Sequence, residues 1–149
     1  MVSEKLFNEE KIIVYTDGGA RNNPGPAAIG VVIGDKKYSK FIGNATNNEA
    51  EYQAVIFALK KLRQLIGKKR IESQDIEMRM DRELVQKQLS GEYKIKEKEL
   101  QILFVEVWNL RLDFDHLRFI HIQREQNLLA DKLVNEALEE QMKPRQKLF

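Results

Sequence analysis

Lys11-Ile12-Ile13-Val14-Tyr15-Thr16-Asp17-Gly18-Gly19-Ala20 is an apolar, β-branched run that stops at a carboxylate followed by two glycines. Its composition predicts a strand over residues 11–17. Clusters of Gly, Pro and Asn then separate it from two further strand patterns, residues 27–33 and 37–43, and connections that short make the three an antiparallel meander. Past the meander the hydrophobic period changes. Residues 46–66 read as a helix, 76–80 as a strand, 83–89 as a short helix, 98–112 as a helix, 117–122 as a strand and 127–141 as a last helix. Strands that alternate with helices after a meander imply an α/β protein with a mixed sheet, its later strands added in parallel by right-handed crossovers.

The chain has 149 residues, the length of one domain, with its core expected over about 11–141 and a loose tail over 142–149. No run approaches the roughly 20 apolar residues of a membrane span, and the opening Met1-Val2-Ser3-Glu4-Lys5 lacks the apolar centre of a secretion signal. A cytoplasmic, monomeric protein without a membrane partner is therefore expected. Zero cysteines rule out a disulfide framework, a thiolate nucleophile and a cysteine zinc site, and two histidines argue against a histidine-rich one. Any metal would have to be a hard cation held by carboxylates. The net charge of +2 does not announce nucleic-acid binding. Basic residues do cluster, at Lys68-Lys69-Arg70, over 87–98 and over 143–147, and each cluster alone reads as a solvated face or as cations complementing a helix C-terminus.

Four acids stand in places that need a reason. Asp17 closes the first strand, and Gly18-Gly19 after it lets the backbone turn and approach a ligand; turn chemistry is the plainer explanation. At 100° per residue Glu51 shares its helix face with Ala54, Val55, Ala58, Leu62 and Leu65, the core-facing side. Its neighbour Glu49 is accounted for by the capping box Thr46-Asn47-Asn48-Glu49, whereas Glu51 needs a cationic side chain or a metal as partner. Asp81 follows a strand and precedes a short helix, so it is either a helix N-cap or a ligand at the carboxyl end of a parallel strand. Asp131 lies near the start of the last helix on a stripe with Val134 and Leu138, where the helix dipole alone favours an acid. One carboxylate cluster explains all four positions together. Such a cluster repels itself unless divalent cations compensate it, and two ions about 4 Å apart can activate a water and stabilise a leaving oxygen in phosphoryl displacement.

These segments also carry a resemblance. Tyr15-Thr16-Asp17-Gly18-Gly19-Ala20 with Asn23-Pro24-Gly25-Pro26-Ala27, Thr46-Asn47-Asn48-Glu49-Ala50-Glu51-Tyr52, Asp81-Arg82-Glu83-Leu84-Val85, and Arg124-Glu125-Gln126-Asn127 before Ala130-Asp131 resemble the type 1 ribonuclease H family, in order and spacing, over about residues 11–141. The resemblance implies the ribonuclease H fold, a five-stranded mixed sheet with helices on both faces. It implies that Asp17, Glu51, Asp81 and Asp131 hold two Mg2+ ions, with Mn2+ a common substitute. The implied reaction is endonucleolytic hydrolysis of the RNA strand of an RNA·DNA hybrid by a metal-activated water, leaving 5′-phosphate and 3′-hydroxyl ends. By the same likeness Asn47 and Asn48 contact the hybrid minor groove, where 2′-hydroxyls mark RNA. The segment Gly18, Gly19, Ala20, Arg21 to Asn23 follows the RNA strand, and Asn127 also belongs to the substrate-binding set.

Three departures from the family pattern matter. The bacterial branch has a mobile histidine in the loop before the last acid; here that loop reads Gln123-Arg124-Glu125-Gln126-Asn127, so Arg124 is the candidate for its phosphate-steering role and His121, inside the preceding strand, is expected to be structural. The long basic handle after the short helix is missing, with Lys87, Lys94, Lys96 and Lys98 as partial substitutes and Trp108 expected in the core. Relatives usually carry a serine where this chain has Arg82, a cation beside the acids that could aid phosphate binding. Two alternatives stay open: a non-catalytic nucleic-acid-binding module of the same fold, against which the presence of all four acids argues, and a transposase or junction-resolving nuclease, which normally needs extra DNA-binding or dimerisation elements.

Overall fold

A computed structural model describes residues 11–143. The elements are β1 (Lys11–Ala20), β2 (Gly25–Ile33), β3 (Lys36–Ala45), α1 (Asn47–Ile66), α2 (Lys68–Ile71), β4 (Asp75–Met80), α3 (Glu83–Leu89), α4 (Lys98–Arg111), β5 (His116–His121), a 3₁₀ turn (Arg124–Gln126) and α5 (Leu128–Met142). The strands form one sheet in the order β3-β2-β1-β4-β5. β1 pairs antiparallel with β2 and parallel with β4, β2 pairs antiparallel with β3, and β4 parallel with β5. The strand quoted first is thus the middle of the sheet, where the meander hands over to the parallel half.

Alternation along the strands sorts two faces. Val14, Ile29, Val31, Ile76 and Met78 pack with Tyr52, Val55, Leu59 and Leu62 of α1 in the main core. On the opposite face Ala28 packs with Val134 and Leu138 of α5. The capping box starts α1 as expected: the Glu49 amide donates to Thr46 Oγ1 at 3.1 Å and the Thr46 amide to Glu49 Oε1 at 2.8 Å. Behind α1 the buried Tyr52 hydroxyl donates to Gln88 Oε1 at 2.7 Å, tying α3 to the core.

Several expectations shift. β1 does not stop at Asp17 but continues through Gly18 and Gly19 to Ala20, still paired with β2. Glycine's missing side chain is read in a sequence as a break, whereas the pairing of Gly18 with Ile29 and Gly19 with Ala28 supplies the hydrogen bonds that keep the strand going. The cluster Lys68-Lys69-Arg70 forms its own one-turn helix, anchored by the buried Ile71. Leu65, assigned to the core face, is 42% exposed because α1 ends at the next residue. Trp108 is not core either. It is 49% exposed, stacks on Phe104 with ring centroids 6.4 Å apart, and carries the Arg111 guanidinium 5.5 Å above its ring, while Leu100 and Val107 bury α4. Residues 90–97 join α3 to α4 with no helix between them, as the missing handle requires. The expected tail falls outside the described residues except for Met142, the last residue of α5, and Lys143.

Candidate active site

Register places two of the acids side by side. The parallel pairing of β1 and β4 matches Ile13 with Glu77 and Tyr15 with Arg79, so two residues further on Asp17 comes level with Asp81, immediately past the end of β4. Glu51 arrives from α1 because the helix lies directly on Gly18, where an added Cβ would stand 2.3 Å from the Ala50 carbonyl carbon and 2.5 Å from the Glu51 nitrogen. The close approach made possible by Gly18 is therefore to a helix backbone. Asp131 arrives by the same device on the other face. α5 lies on Gly30, where a Cβ would stand 2.2 Å from the Ala130 carbonyl oxygen, and Gly30 pairs with Asp17 across β1 and β2. Sequence reasoning passed over Gly30, although a lone glycine inside an apolar strand signals a close backbone approach.

One carboxylate oxygen from each of Asp17, Glu51 and Asp81 lies within 4.8 Å of the others. Asp17 is 7% and Glu51 2% exposed. Burial, then the Asp81 charge, with Asp131 adding to it, raises the Asp17 carboxyl to about 7. Burial, followed by the neighbouring Asp17 and Asp81, holds Glu51 well above the usual carboxylate range, against the opposing pull of Arg82. Asp131 completes the lining of a cavity of about 490 Å³ shared with Gly18, Gly19, Ala20, Arg21, Asn47, Arg82, Arg124 and Asn135. Asn135 Nδ2 stands 3.5 Å from Asp131 Oδ2, a partner one helical turn along that the i, i+4 spacing could have revealed.

Asp81 is not the helix N-cap that its position allowed. Arg82 holds the N-cap position of α3, without a side-chain cap. The Asp81 carboxylate is instead fixed by Asn127, whose Nδ2 donates to Asp81 Oδ2 at 3.0 Å and to the Thr16 carbonyl at 2.9 Å. Asn127 was expected among substrate-contacting residues; at 1% exposure it is sealed beneath the acids and spends its amide on holding β1 and Asp81 together. Asn47 knits the neighbouring loop: its Oδ1 accepts from the Ala20 backbone N–H and its own backbone N–H donates to Asn23 Oδ1, both at 2.9 Å. Asn48 opens onto an adjoining cleft of about 510 Å³ with Asn23, Thr46, Asn47 and Arg82, and its Oδ1 is buried without a hydrogen-bond partner. Arg124 stands exposed in the 3₁₀ turn at the cavity rim. His121 lies outside that lining, with Nδ1 4.0 Å from Glu83.

The donor set fits a hard divalent cation. Its ligand atoms are all carboxylate oxygens, two of the three groups are buried, and the only cation paired with them among the described residues is Arg82, whose Nε is 3.6 Å from Glu51 Oε1. Burial without such compensation is what drives Asp17 and Glu51 toward protonation.

A mixed sheet of this order, with acids gathered where β1 and β4 lie in parallel, defines a ribonuclease H-like fold, and the solved structures agree. A ribonuclease H1 isolated from compost by a metagenomic approach is 46% identical and superposes with a TM-score of 0.84, covering 89% of this chain and 99% of that one. The same protein has been solved in complex with an RNA/DNA hybrid. Ribonuclease H1 of Halobacterium salinarum is 39% identical with a TM-score of 0.80, covering 88% of this chain and 99% of the solved one. Residues 15–137 match the protein-family model described as reverse transcriptase-like. The chain belongs to the type 1 ribonuclease H family. It spans 65% of the length of the curated Halobacterium ribonuclease HI, and 36% of a bifunctional protein of Mycobacterium tuberculosis to which it is 34% identical over 136 residues.

Proposed function

We propose that this protein hydrolyses the RNA strand of RNA·DNA hybrids endonucleolytically, giving 5′-phosphate and 3′-hydroxyl ends. The observation that carries the reading is the convergence of three carboxylates, two of them buried, with one long ion pair to set against their charge. Asp17, Glu51, Asp81 and Asp131 would hold two Mg2+ ions, with Mn2+ able to replace them. Bound ions of this kind supply the Lewis acidity that lowers the pKa of an attacking water and offsets charge on the leaving oxygen.

The chain's own residues do the rest. Asn127 fixes one Asp81 oxygen at 3.0 Å, so the carboxylate meets its ion already oriented. Gly18, Gly19, Ala20, Arg21 and Asn23 form the wall along which the RNA strand runs, held to α1 by Asn47. Asn47 and Asn48 face the minor groove, whose 2′-hydroxyls distinguish RNA from DNA. Arg124 contacts a phosphate at the rim. The hybrid complex of the compost enzyme supports the choice of substrate. No helix among the described residues is long and apolar enough to cross a membrane.

Labelled hybrid, duplex DNA, duplex RNA and single strands, each incubated with and without magnesium, test the reading. Magnesium-dependent cutting of the RNA in the hybrid is expected. Binding of the hybrid without cutting would instead identify a non-catalytic module.

A further inference from the structure

We propose that Arg82 is a phosphate-binding residue, gripping one backbone phosphate of the nucleic acid at the junction of the carboxylate cavity and the cleft beside Asn48. The inference rests on the hybrid-cleaving reading above and adds a contact to it. Arg82 lines both cavities. In the second cleft the other charged lining residues are Glu49, Glu97 and Glu99, so among the described residues Arg82 is the one cation there that can offset a phosphate's charge. The side chain is 40% exposed, while its Nε is buried and has no hydrogen-bond partner. At 3.6 Å the contact with Glu51 is an ion pair too long for a hydrogen bond, so Nε faces the acids and the partly exposed guanidinium keeps its outer N–H groups toward the cavities. Helix stability does not account for the residue either, because α3 goes without the Ser, Thr, Asp or Asn cap that this position favours. A planar fork of donors, half in water and poised between two concave surfaces, matches a phosphodiester oxygen pair better than it matches one recessed carboxylate.

The test uses an Asp17→Asn background, so that hybrid can be bound without being cut, and measures Kd across a salt series. Adding Arg82→Ser should weaken hybrid binding about tenfold, the loss of one charge-assisted contact. The slope of log Kd against log salt should fall by about 0.9, the share of one phosphate. Arg82→Lys should keep the slope and recover part of the affinity. With Asp17 intact, Arg82→Ser should raise KM more than it lowers kcat. An unchanged slope and Kd, with only the calorimetric affinity for magnesium altered, would show Arg82 to be no more than the counter-ion of Glu51 and would overturn the proposal. If the parent protein neither binds nor cuts hybrid, the wider reading falls and takes this one with it; a parent that cuts beside an insensitive Arg82 sinks this inference alone.

Discussion

At Asp17, burial and the facing Asp81 and Asp131 carboxylates make a negative charge so costly that the group titrates near 7. Asp17→Asn removes that charge while keeping the shape, so in metal-free buffer the variant should be more stable, by about 1–2 kcal/mol near neutral pH. Thermal denaturation in EDTA measures the gain, and a loss of stability contradicts the electrostatic account. On the proposed function the same change should cost cleavage about a thousandfold or more, because a residue holding a catalytic metal supplies several kcal/mol to the transition state. Asn127→Ala makes a separate case. It leaves all four acids in place but frees Asp81, so kcat/KM or magnesium affinity should fall about 10–100-fold, the usual cost of losing an orienting partner. Wild-type magnesium binding and rates in this variant would show that Asn127 merely packs. Glu51 was legible because its periodicity put a carboxylate on an apolar stripe, and the structure buries it to 2%. Asn127 was not, since a sequence does not tell which way an amide points: its neighbourhood in the motif suggested substrate, and its burial shows an internal tie. Trp108 failed for the same reason, for helical spacing fixes angles around an axis and not which angle faces water.

Between elements, the site depends on two helices coming closer to the sheet than side chains normally permit. α1 rests on Gly18 and α5 on Gly30, and each brings an acid with it. Gly30→Ala would place a methyl 2.2 Å from the Ala130 carbonyl and 2.9 Å from Leu133 Cβ, both parts of the packed helix. α5 must lift, and the expected cost is about 1–3 kcal/mol of stability. Asp131 moves with α5, so magnesium affinity should drop too. Calorimetry of the folded variant separates the effects, and unaltered ion binding would mean that α5 does not set the position of Asp131. The start of α1 could be read in advance because a capping box is local chemistry, written within four residues. The end of β1 could not. Whether Gly18 and Gly19 continue a strand depends on partners nine and eleven residues away, and the apolar pattern of residues 27–33 shows that β2 exists but not how far it follows β1.

For the whole molecule, fold stability and the proposed ion binding would be opposed through the same carboxyls. Asp17 rises from 3.8 to about 7 on folding, and Glu51 moves in the same direction. Between those limits the folded chain holds protons that the unfolded chain has released. Stability changes with pH as the protons bound by the unfolded state minus those bound by the native state, and that difference is negative here. The contribution of these groups is therefore full below the unfolded value and is lost as pH rises through the folded one. Metal-free protein should lose stability from about pH 4 to about pH 7 through Asp17, with Glu51 acting in the same direction, at no more than about 1.4 kcal/mol per pH unit for each proton concerned. If divalent ions take the proposed site they compete with protons for the same oxygens, so they should bind more tightly as pH rises and restore at alkaline pH what the apo-protein loses. Denaturation midpoints over this range, in EDTA and in millimolar magnesium, should diverge steadily toward high pH. Asp17→Asn should flatten the EDTA curve, having no carboxyl there to deprotonate. Parallel curves with and without magnesium would mean that the ions are held away from the buried acids, and the carboxylate cavity would no longer account for metal dependence.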